Sequence, residues 1–404
     1  MFYCNDSDSF NDCVVILIVE MSNNRCLVLY LSEYKCLSSS CKRTLGLLKG
    51  LLQKGYNIDF LTVETDGIQL KNSTYSFLDN INIIPLWKES ANNVNVAQVS
   101  GVKGVILRKI AQWYRLFFIF GHTYKYAKRI RLEVLPQNSY DIVISISDPK
   151  TSHIALNNLL KQGLTTDRII EYWGDPLYGD VSFKSVYPDW VIKNIERKYL
   201  MLANRIVYTS PFTLKAEQQI FPKIAERMIS IPTANLEEQV YQPFSTPKIK
   251  VGYYGDYYTQ FRDIRPLYNA FTNGFEDIDI ELFIVGDSDI SLVNRENITV
   301  LSRRNIDDLQ SKTDILICLL NNHGTQIPGK LYYNAGTNLP IVVILDGEFK
   351  EDIKKYLDTF ERFIICENNV DSINNAIKSI ALNKPVFQPS KLLSPLNTAS
   401  AMLQ

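Results

Sequence analysis

Residues 325–345 read TQIPGKLYYNAGTNLPIVVIL and give the clearest indication of the fold. Pro328, Gly329 and Lys330 mark the opening of a helix, which we predict over residues 329–337. The apolar run at 341–345 then predicts a strand. A short helix leading into a buried strand is typical of an alternating α/β fold.

The same alternation fills the chain from residue 249 onward. It follows a polar, proline-bearing segment at 240–248 (VYQPFSTPK), where we place the domain junction. The apolar runs and helical periods together predict a second doubly wound half. Its strands are expected at 249–254, 280–285, 298–301, 314–319 and 341–345, and its helices at 264–271, 306–312, 329–337 and 350–358.

The first half of the chain has a similar pattern. The run CLVLYL at 26–31 predicts a strand, and leucines at 45, 48 and 52 recur at helical spacing over residues 42–54. A strand, helix, strand unit favours a parallel sheet, because the helical connection lets the second strand start at the same end of the sheet as the first. Further elements are predicted as strands at 58–63, 81–85, 141–147, 168–172, 205–209 and 227–231, and a helix at 149–162.

A chain of 404 residues exceeds what one hydrophobic core usually serves. We therefore predict an α/β fold of two Rossmann-like, doubly wound domains that face a cleft. The ranges are 1–20 for an upstream extension with little structural role, 21–244 for the first domain, 245–385 for the second, and 386–404 for a tail or helix that crosses back to the first domain. Ligands of such sheets bind outside the carboxyl ends of the strands.

Composition limits the classes of partner and compartment. Lys plus Arg and Asp plus Glu number 43 each, so no global field favours nucleic acid. Seven cysteines without a close CxxC pair, with only three histidines, predict reduced thiols in the cytoplasm and no zinc site. The longest early apolar run, residues 14–19, is too short to cross a bilayer.

The start of the helix near Gly329 suits a diphosphate. Free amides and the positive end of the helix dipole attract phosphate there, and Lys330 adds a point charge. The alternative is an ordinary Pro-Gly turn with Lys330 in solvent.

Residues 325–345 resemble the donor-site segment of glycosyltransferase family 4 and related GT-B enzymes. Matching positions are Lys330, Leu331, Tyr332, Gly336 and Pro340. Tyr333 stands where that family has the glutamate that holds the donor ribose. The stretch VGYYGDYYTQFRDIRPL at 251–267 looks like the family's first donor-domain strand and glycine loop. The resemblance implies donor binding by Gly255, Arg262, Gly329, Lys330 and Tyr333, with Arg265 as an alternative to Arg262.

Two residues of the first domain are candidates for catalysis. Asp175 follows a predicted strand and could remove the acceptor proton in an inverting reaction, or orient donor or acceptor in a retaining one. The alternative is a turn aspartate before Pro176. His153 begins a helix after another strand and could bond sugar hydroxyls, although a lone histidine is more often structural. Asp287 and Asp289 form a DxD pair, but we expect no metal and no organic cofactor.

Residues 101–133 carry eight Lys or Arg and one acidic residue, interleaved with aromatic side chains. Such a helix can lie on anionic lipid. The spacing of residues 106, 110, 113 and 117 equally suits a helix that faces the core.

These observations and the resemblance predict a cytoplasmic hexosyltransferase, associated with the inner face of the membrane. It would transfer sugar from a nucleoside-diphosphate-sugar donor to a glycan or lipid-linked acceptor in surface polysaccharide biosynthesis. Two alternatives stay open. One is a sugar-nucleotide epimerase of the same fold; the other is a catalytically degenerate partner subunit, which the departure at Tyr333 favours.

Overall fold

The computed structural model describes residues 24–35, 38–65, 73–89, 109–110, 113–114, 116–121, 123–180, 183–275 and 277–404. These residues form two separate parallel sheets with helices on both faces. The predicted extension at 1–20 and part of the basic stretch at 101–133 lie outside the described residues.

The first sheet has seven strands in the order β3-β2-β1-β4-β5-β6-β7, and every neighbouring pair is parallel. The domain also contains 3-10 turns at Ser73–Asn80, Leu132–Val134 and Pro222–Arg227. The strands are β1 (Arg25–Glu33), β2 (Asn57–Thr65), β3 (Asn82–Glu89), β4 (Ser139–Ile146), β5 (Thr165–Trp173), β6 (Arg205–Tyr208) and β7 (Met228–Ser230). The helices are α1 (Ser39–Gln53), α2 (Tyr124–Arg129), α3 (Thr151–Lys161), α4 (Asp189–Leu200) and α5 (Pro211–Ile220).

The second sheet has six parallel strands in the order β10-β9-β8-β11-β12-β13. The strands are β8 (Ile249–Tyr254), β9 (Ile280–Val285), β10 (Ile298–Leu301), β11 (Ile315–Leu319), β12 (Ile341–Leu345) and β13 (Ile364–Glu367). The helices are α6 (Arg265–Asn273), α7 (Asp307–Gln310), α8 (Gly329–Asn334), α9 (Lys350–Asp358) and α10 (Val370–Asn383), and α11 (Pro395–Leu403) ends the chain.

Burial on both faces explains why the strands are apolar runs. Along β1, Cys26, Val28 and Tyr30 pack into the layer that contains α1. Leu27, Leu29 and Leu31 pack into the layer on the opposite face. A parallel sheet covered on both sides needs apolar residues at consecutive positions, and this makes its strands recognisable in the sequence.

Both sheets reverse their strand order next to the first strand of the domain. The reversal falls between β1 and β4 in the first sheet and between β8 and β11 in the second. The loops after these strands diverge to opposite faces, which leaves a crevice at the carboxyl ends. Both crevices border the same cleft, described below.

The last helix packs on the first domain. Ala399 and Met402 of α11 are fully buried in the core beside α1. The helices approach closely at Gly50, where a side chain would collide with the carbonyl group of Pro395. Arg168 of β5 donates a hydrogen bond to the Leu403 carbonyl oxygen at 2.5 Å. The chain therefore crosses between the domains twice, near residues 231–248 and again before α11.

Several elements differ from the sequence-based predictions. The helices α4, α5 and α10 and the strand β13 were not predicted. The helix predicted from residue 149 begins at Thr151, and the residue before it, Lys150, makes no side-chain capping bond. Among the described residues, no helix has the length and apolar character that crossing a bilayer requires.

Candidate functional site

A cleft of about 370 Å³ lies between the carboxyl ends of the two sheets. The first domain contributes the start of α1 and the loop after β5. The second domain contributes the loops after β8, β10 and β11 and the start of α8. Five cationic side chains and three carboxylates line the cleft, so positive charge exceeds negative charge there although the whole chain is neutral. The cations are Lys42, Arg43, Arg262, Arg303 and Lys330, and the carboxylates are Asp175, Asp180 and Asp256.

Lys330 lies in the first turn of α8 and points toward the loop after β8. Its ammonium group donates a hydrogen bond to the carbonyl oxygen of Tyr254. A β-carbon at the next residue, Gly255, would collide with Lys330 Nζ. Burial and, to a lesser degree, the neighbouring charge of Arg262 together lower the pKa of Lys330 to about 8. An ammonium group so poorly solvated gains most from an anionic ligand.

Arg262 is fixed by two hydrogen bonds on the same side of the cleft. Its Nε donates to Asn321 Oδ1 at 2.9 Å, and one terminal nitrogen donates to the Asp256 carbonyl oxygen at 3.2 Å. Arg303, after β10, lies 3.6 Å from the Asp256 carboxylate. Arg265, the alternative to Arg262, is exposed and binds Asp263 at 2.7 Å instead of lining the cleft.

The helix α8 is shorter than predicted. It spans six residues, Gly329–Asn334, where the sequence predicted a helix to residue 337. Turn-type bonds from Gly336 and Thr337 to Tyr333 and Asn334 replace a longer helix. A helix this short contributes only a small dipole. Positive charge at this end of the cleft therefore comes chiefly from the side chains of Lys330 and Arg262.

Two cations of the first domain were not among the predicted site residues. Lys42 and Arg43 lie in the first turns of α1, which Ser38 caps by accepting a hydrogen bond from Cys41 N at 3.2 Å. Arg43 is only 6% exposed and donates to the Ser147 carbonyl oxygen. Gly174 leaves room for this guanidinium group, because a β-carbon there would collide with it. The available signal was position alone: both residues lie near the start of the helix that follows the first strand.

Asp175 lies in the loop after β5 and lines the cleft opposite Lys330. Burial and, to a lesser degree, the nearby carboxylates of Asp148 and Asp180 together raise the pKa of its carboxyl group to about 7. Lys150 bridges these two carboxylates, at 2.8 Å from Asp148 and 3.3 Å from Asp180. A carboxyl group with a pKa near neutral can exchange a proton with a substrate at physiological pH.

His153 does not line the cleft. It is fully buried below the loop, where its ring stacks on Trp173 with centroids 4.1 Å apart and its Nδ1 bonds Ser145 Oγ at 2.7 Å. Burial lowers its pKa to about 3, so the ring is neutral at pH 7. The predicted contact between His153 and sugar hydroxyls is therefore corrected: the ring has no exposed atoms with which to make that contact, and it packs beneath the strand that leads to Asp175.

Tyr333 bridges the two domains at the edge of the cleft. Its hydroxyl donates a hydrogen bond to the Ser39 carbonyl oxygen at 2.5 Å and lies 3.2 Å from Ser39 Oγ. Gly329 also approaches this serine, since a β-carbon there would collide with Ser39 Oγ. Lys42 lies over the tyrosine ring, 5.6 Å from its centroid. The residue at the family's glutamate position thus contacts the first domain.

The two aspartates of the DxD pair do not line the cleft. Asp289 accepts hydrogen bonds from the amide and hydroxyl of Thr259, at 2.8 and 2.7 Å. Asp287 accepts one from the Arg303 amide at 3.4 Å. Across the described ranges, no three His, Cys, Asp or Glu side chains group as a metal site requires. Activity without metal or organic cofactor stays a prediction.

Two doubly wound, parallel domains facing a cleft define the GT-B architecture, which confirms the predicted fold. No known family profile matches the chain, and no curated protein does. A glycosyltransferase from Rickettsia africae ESF-5 shares the fold with 13% identity and a TM-score of 0.51, over 95% of this chain and 94% of its own. The structure named "Trehalose-6-phosphate from E. coli bound with UDP-2-fluoro glucose" shares it with 10% identity and a TM-score of 0.52, over 94% of both chains. At these identities the likeness establishes the fold, and the resemblance to family 4 in particular stays a prediction.

Proposed function

We propose that this chain is a nucleoside-diphosphate-sugar-dependent glycosyltransferase that transfers a hexose to a glycan or lipid-linked acceptor in surface polysaccharide biosynthesis. The observation that carries the proposal is the poorly solvated ammonium group of Lys330, held against Gly255 and beside Arg262, opposite the Asp175 carboxyl group. This arrangement provides cations for a diphosphate on one wall of the cleft and a proton acceptor on the other.

In the proposed reaction, the bond between the anomeric carbon and the diphosphate oxygen breaks, and a bond from the acceptor oxygen to that carbon forms. Lys330 and Arg262 stabilise the charge that develops on the departing diphosphate. In an inverting transfer Asp175 receives the proton of the acceptor hydroxyl; in a retaining one it orients the acceptor. The anomeric configuration of the product distinguishes the two.

A second cavity supports an acceptor site in the first domain. This cavity, of about 630 Å³, shares Asp180 with the cleft and is otherwise lined mainly by aromatic and polar side chains of residues 178–192. Tyr178, Phe183 and Tyr187 offer ring faces, while Asp180 and Asp189 offer carboxylates. Ring faces and carboxylates suit the apolar faces and hydroxyl groups of a sugar.

The test begins with thermal stabilisation by a panel of nucleotides and nucleotide sugars, starting with UDP derivatives because the E. coli structure of this fold is bound with UDP-2-fluoro glucose. A ligand at 100 times its Kd stabilises by about 2.7 kcal/mol. Lys330→Ala should abolish the shift. Lys312→Ala, which removes an exposed lysine paired with Asp308, should retain it.

Product analysis separates the proposed reaction from its alternatives. Sugar transfer that requires added acceptor supports the transferase, whereas sugar isomerisation of the donor alone would identify an epimerase. A purified chain that binds no nucleotide sugar in calorimetry would instead support a degenerate partner subunit and contradict the proposal.

For the acceptor, we propose that the first domain contacts an anionic membrane surface. Trp113 and Trp190 are 65% and 66% exposed. Phe117 and Tyr187, which lie within one helical turn of them in sequence, are also exposed. The two segments are joined by a hydrogen bond from Val186 N to the Leu116 carbonyl oxygen at 3.1 Å. Exposed aromatic side chains of this kind suit the headgroup region of a bilayer, and the described basic residues, including Lys109 and Lys125, suit its anionic lipids.

Cosedimentation with vesicles tests this contact. The chain should bind phosphatidylcholine vesicles that contain phosphatidylglycerol and not vesicles of phosphatidylcholine alone. The double variant Trp113→Ser with Trp190→Ser should lose binding, whereas Leu382→Ser, at an exposed apolar residue of the second domain, should retain it. Equal binding by both variants would contradict membrane contact through this surface.

A further inference from the structure

Glu196 is a fully buried acid on α4 with an unusual set of partners. Its two carboxylate oxygens accept hydrogen bonds from the backbone amides of Leu177 and Tyr178, each at 2.7 Å. These amides belong to the loop after β5, which carries Asp175 and Asp180 into the cleft. One side chain thus holds two consecutive amides between the two cleft aspartates.

The ends of this loop, residues 174–180, are held by other groups. At its start, Ser147 Oγ accepts from Gly174 N and Thr209 Oγ1 donates to the Gly174 carbonyl oxygen, both at 3.0 Å. At its end, Lys150 binds the Asp180 carboxylate at 3.3 Å. Glu196 is the carboxylate that fixes the middle of the loop.

Two other buried glutamates of the first domain serve as a comparison. Glu171 accepts a hydrogen bond from Trp173 Nε1 at 3.0 Å, and Glu217 accepts one from the Tyr208 hydroxyl at 3.5 Å. Neither is bonded to an amide of the loop. Burial raises the pKa of all three acids, to about 9 for Glu217 and about 8 for Glu171. For Glu196, burial raises the pKa only to about 7, because the two amides favour the charged form.

We propose that Glu196 is a positioning residue for the reaction: by binding the amides of Leu177 and Tyr178, it fixes the loop so that Asp175 faces the acceptor. The expected effect of Glu196 on the reaction rate rests on the proposed function. The loop contact itself can be measured in the protein without any substrate.

Glu196→Gln keeps the shape of the side chain but replaces one acceptor oxygen with an NH₂ group, which cannot accept from an amide. Hydrogen exchange should accelerate at the amide of Leu177 or at that of Tyr178, whichever loses its acceptor oxygen in this variant. Glu217→Gln, which also replaces a buried carboxyl group with an amide group, should leave exchange at both amides unchanged. Unchanged exchange in Glu196→Gln would overturn the proposal whether or not the chain transfers sugar.

Kinetics then test the consequence for the reaction. Glu196→Gln should lower kcat by about 10- to 100-fold, since small displacements of a reacting group are costly, while nucleotide affinity stays within about twofold. In an Asp175→Asn background, adding Glu196→Gln should change residual activity by less than about twofold, because both act on one step. Independent, multiplicative losses would show a general structural role and overturn the positioning role. A wild-type chain without transfer activity would contradict the proposed function alone.

Discussion

Lys330 Nζ donates a hydrogen bond to the carbonyl oxygen of Tyr254, and this contact brings the ammonium group against the α-carbon of Gly255. Tyr254 is the last residue of β8, and Lys330 lies in the first turn of α8, which follows β11 along the chain. Their contact places a cation at the strand-order reversal between β8 and β11. This contact is possible because Gly255 has no side chain.

Gly255→Ala should therefore weaken nucleotide binding although it adds only a methyl group. The new β-carbon collides with Lys330 Nζ, so the ammonium group must move away from the bound diphosphate. Calorimetry should show an affinity loss of about tenfold or more. In a Lys330→Ala background, the same substitution should cost much less, and a full additional loss would contradict this account.

The pH dependence of donor binding should follow Lys330. Its pKa is about 8 in the unliganded protein, and a bound diphosphate should raise it, because an adjacent anion favours the charged form. Affinity should therefore be constant below about pH 8 and fall as the pH rises above it, with proton uptake on binding. Calorimetry at pH 9 in buffers of different ionisation enthalpy measures that uptake.

Lys330→Arg is the matched control, because arginine stays charged throughout this range. It should bind nucleotide sugar without proton uptake, even if more weakly. Equal uptake by the variant and the wild type would assign the titration to another group.

Asp175→Asn should separate stability from turnover. The folded pKa of about 7 lies above the ordinary value of 3.8, so ionisation of this carboxyl group opposes folding. The cost is absent below about pH 4, grows as the pH rises, and is complete above about pH 7. The variant should be more stable than the wild type at pH 8 by about 1–2 kcal/mol, after allowance for solvent screening of a partly exposed group.

The same variant should bind nucleotide normally and lose turnover. Denaturant unfolding at pH 4 and pH 8 checks the stability effect, and transfer assays check the activity. A variant that retains wild-type turnover would remove Asp175 from the reaction.

Tyr333→Phe should loosen the contact between the domains. The substitution removes the hydroxyl that donates to the Ser39 carbonyl oxygen, a hydrogen bond worth about 1 kcal/mol. Small-angle scattering of the unliganded variant should show a larger radius of gyration. Tyr268→Phe removes a similar bond, to the Val293 carbonyl oxygen within the second domain, and should leave the radius unchanged. If both variants matched the wild type, Tyr333 would not hold the domains together.

The sequence predicted the sheets better than the helices on their surfaces. Strands such as β1 and β12 are buried on both faces, so their buried runs, residues 26–31 and 341–345, are uniformly apolar and easy to recognise. Helices α4 and α5 bury only part of their surface and were missed. The helix predicted from residue 149 begins only at Thr151, a small boundary difference that periodicity does not resolve.

By itself, the sequence determined the alternating α/β order and the loops that reach the cleft. Parallel strands end at one edge of their sheet, so recognising the strands places Gly255, Arg262 and Lys330 at the edge of the second sheet and Asp175 at the edge of the first. Only the tertiary structure decided that His153 is buried and that the guanidinium group of Arg43 packs against Gly174. The same holds for the hydrogen bonds between Glu196 and the amides of its loop. It also joined Ser39 to Tyr333 across 294 residues. Contacts of this kind depend on how helices and domains pack against each other, and the local periodicity of the sequence does not predict that packing.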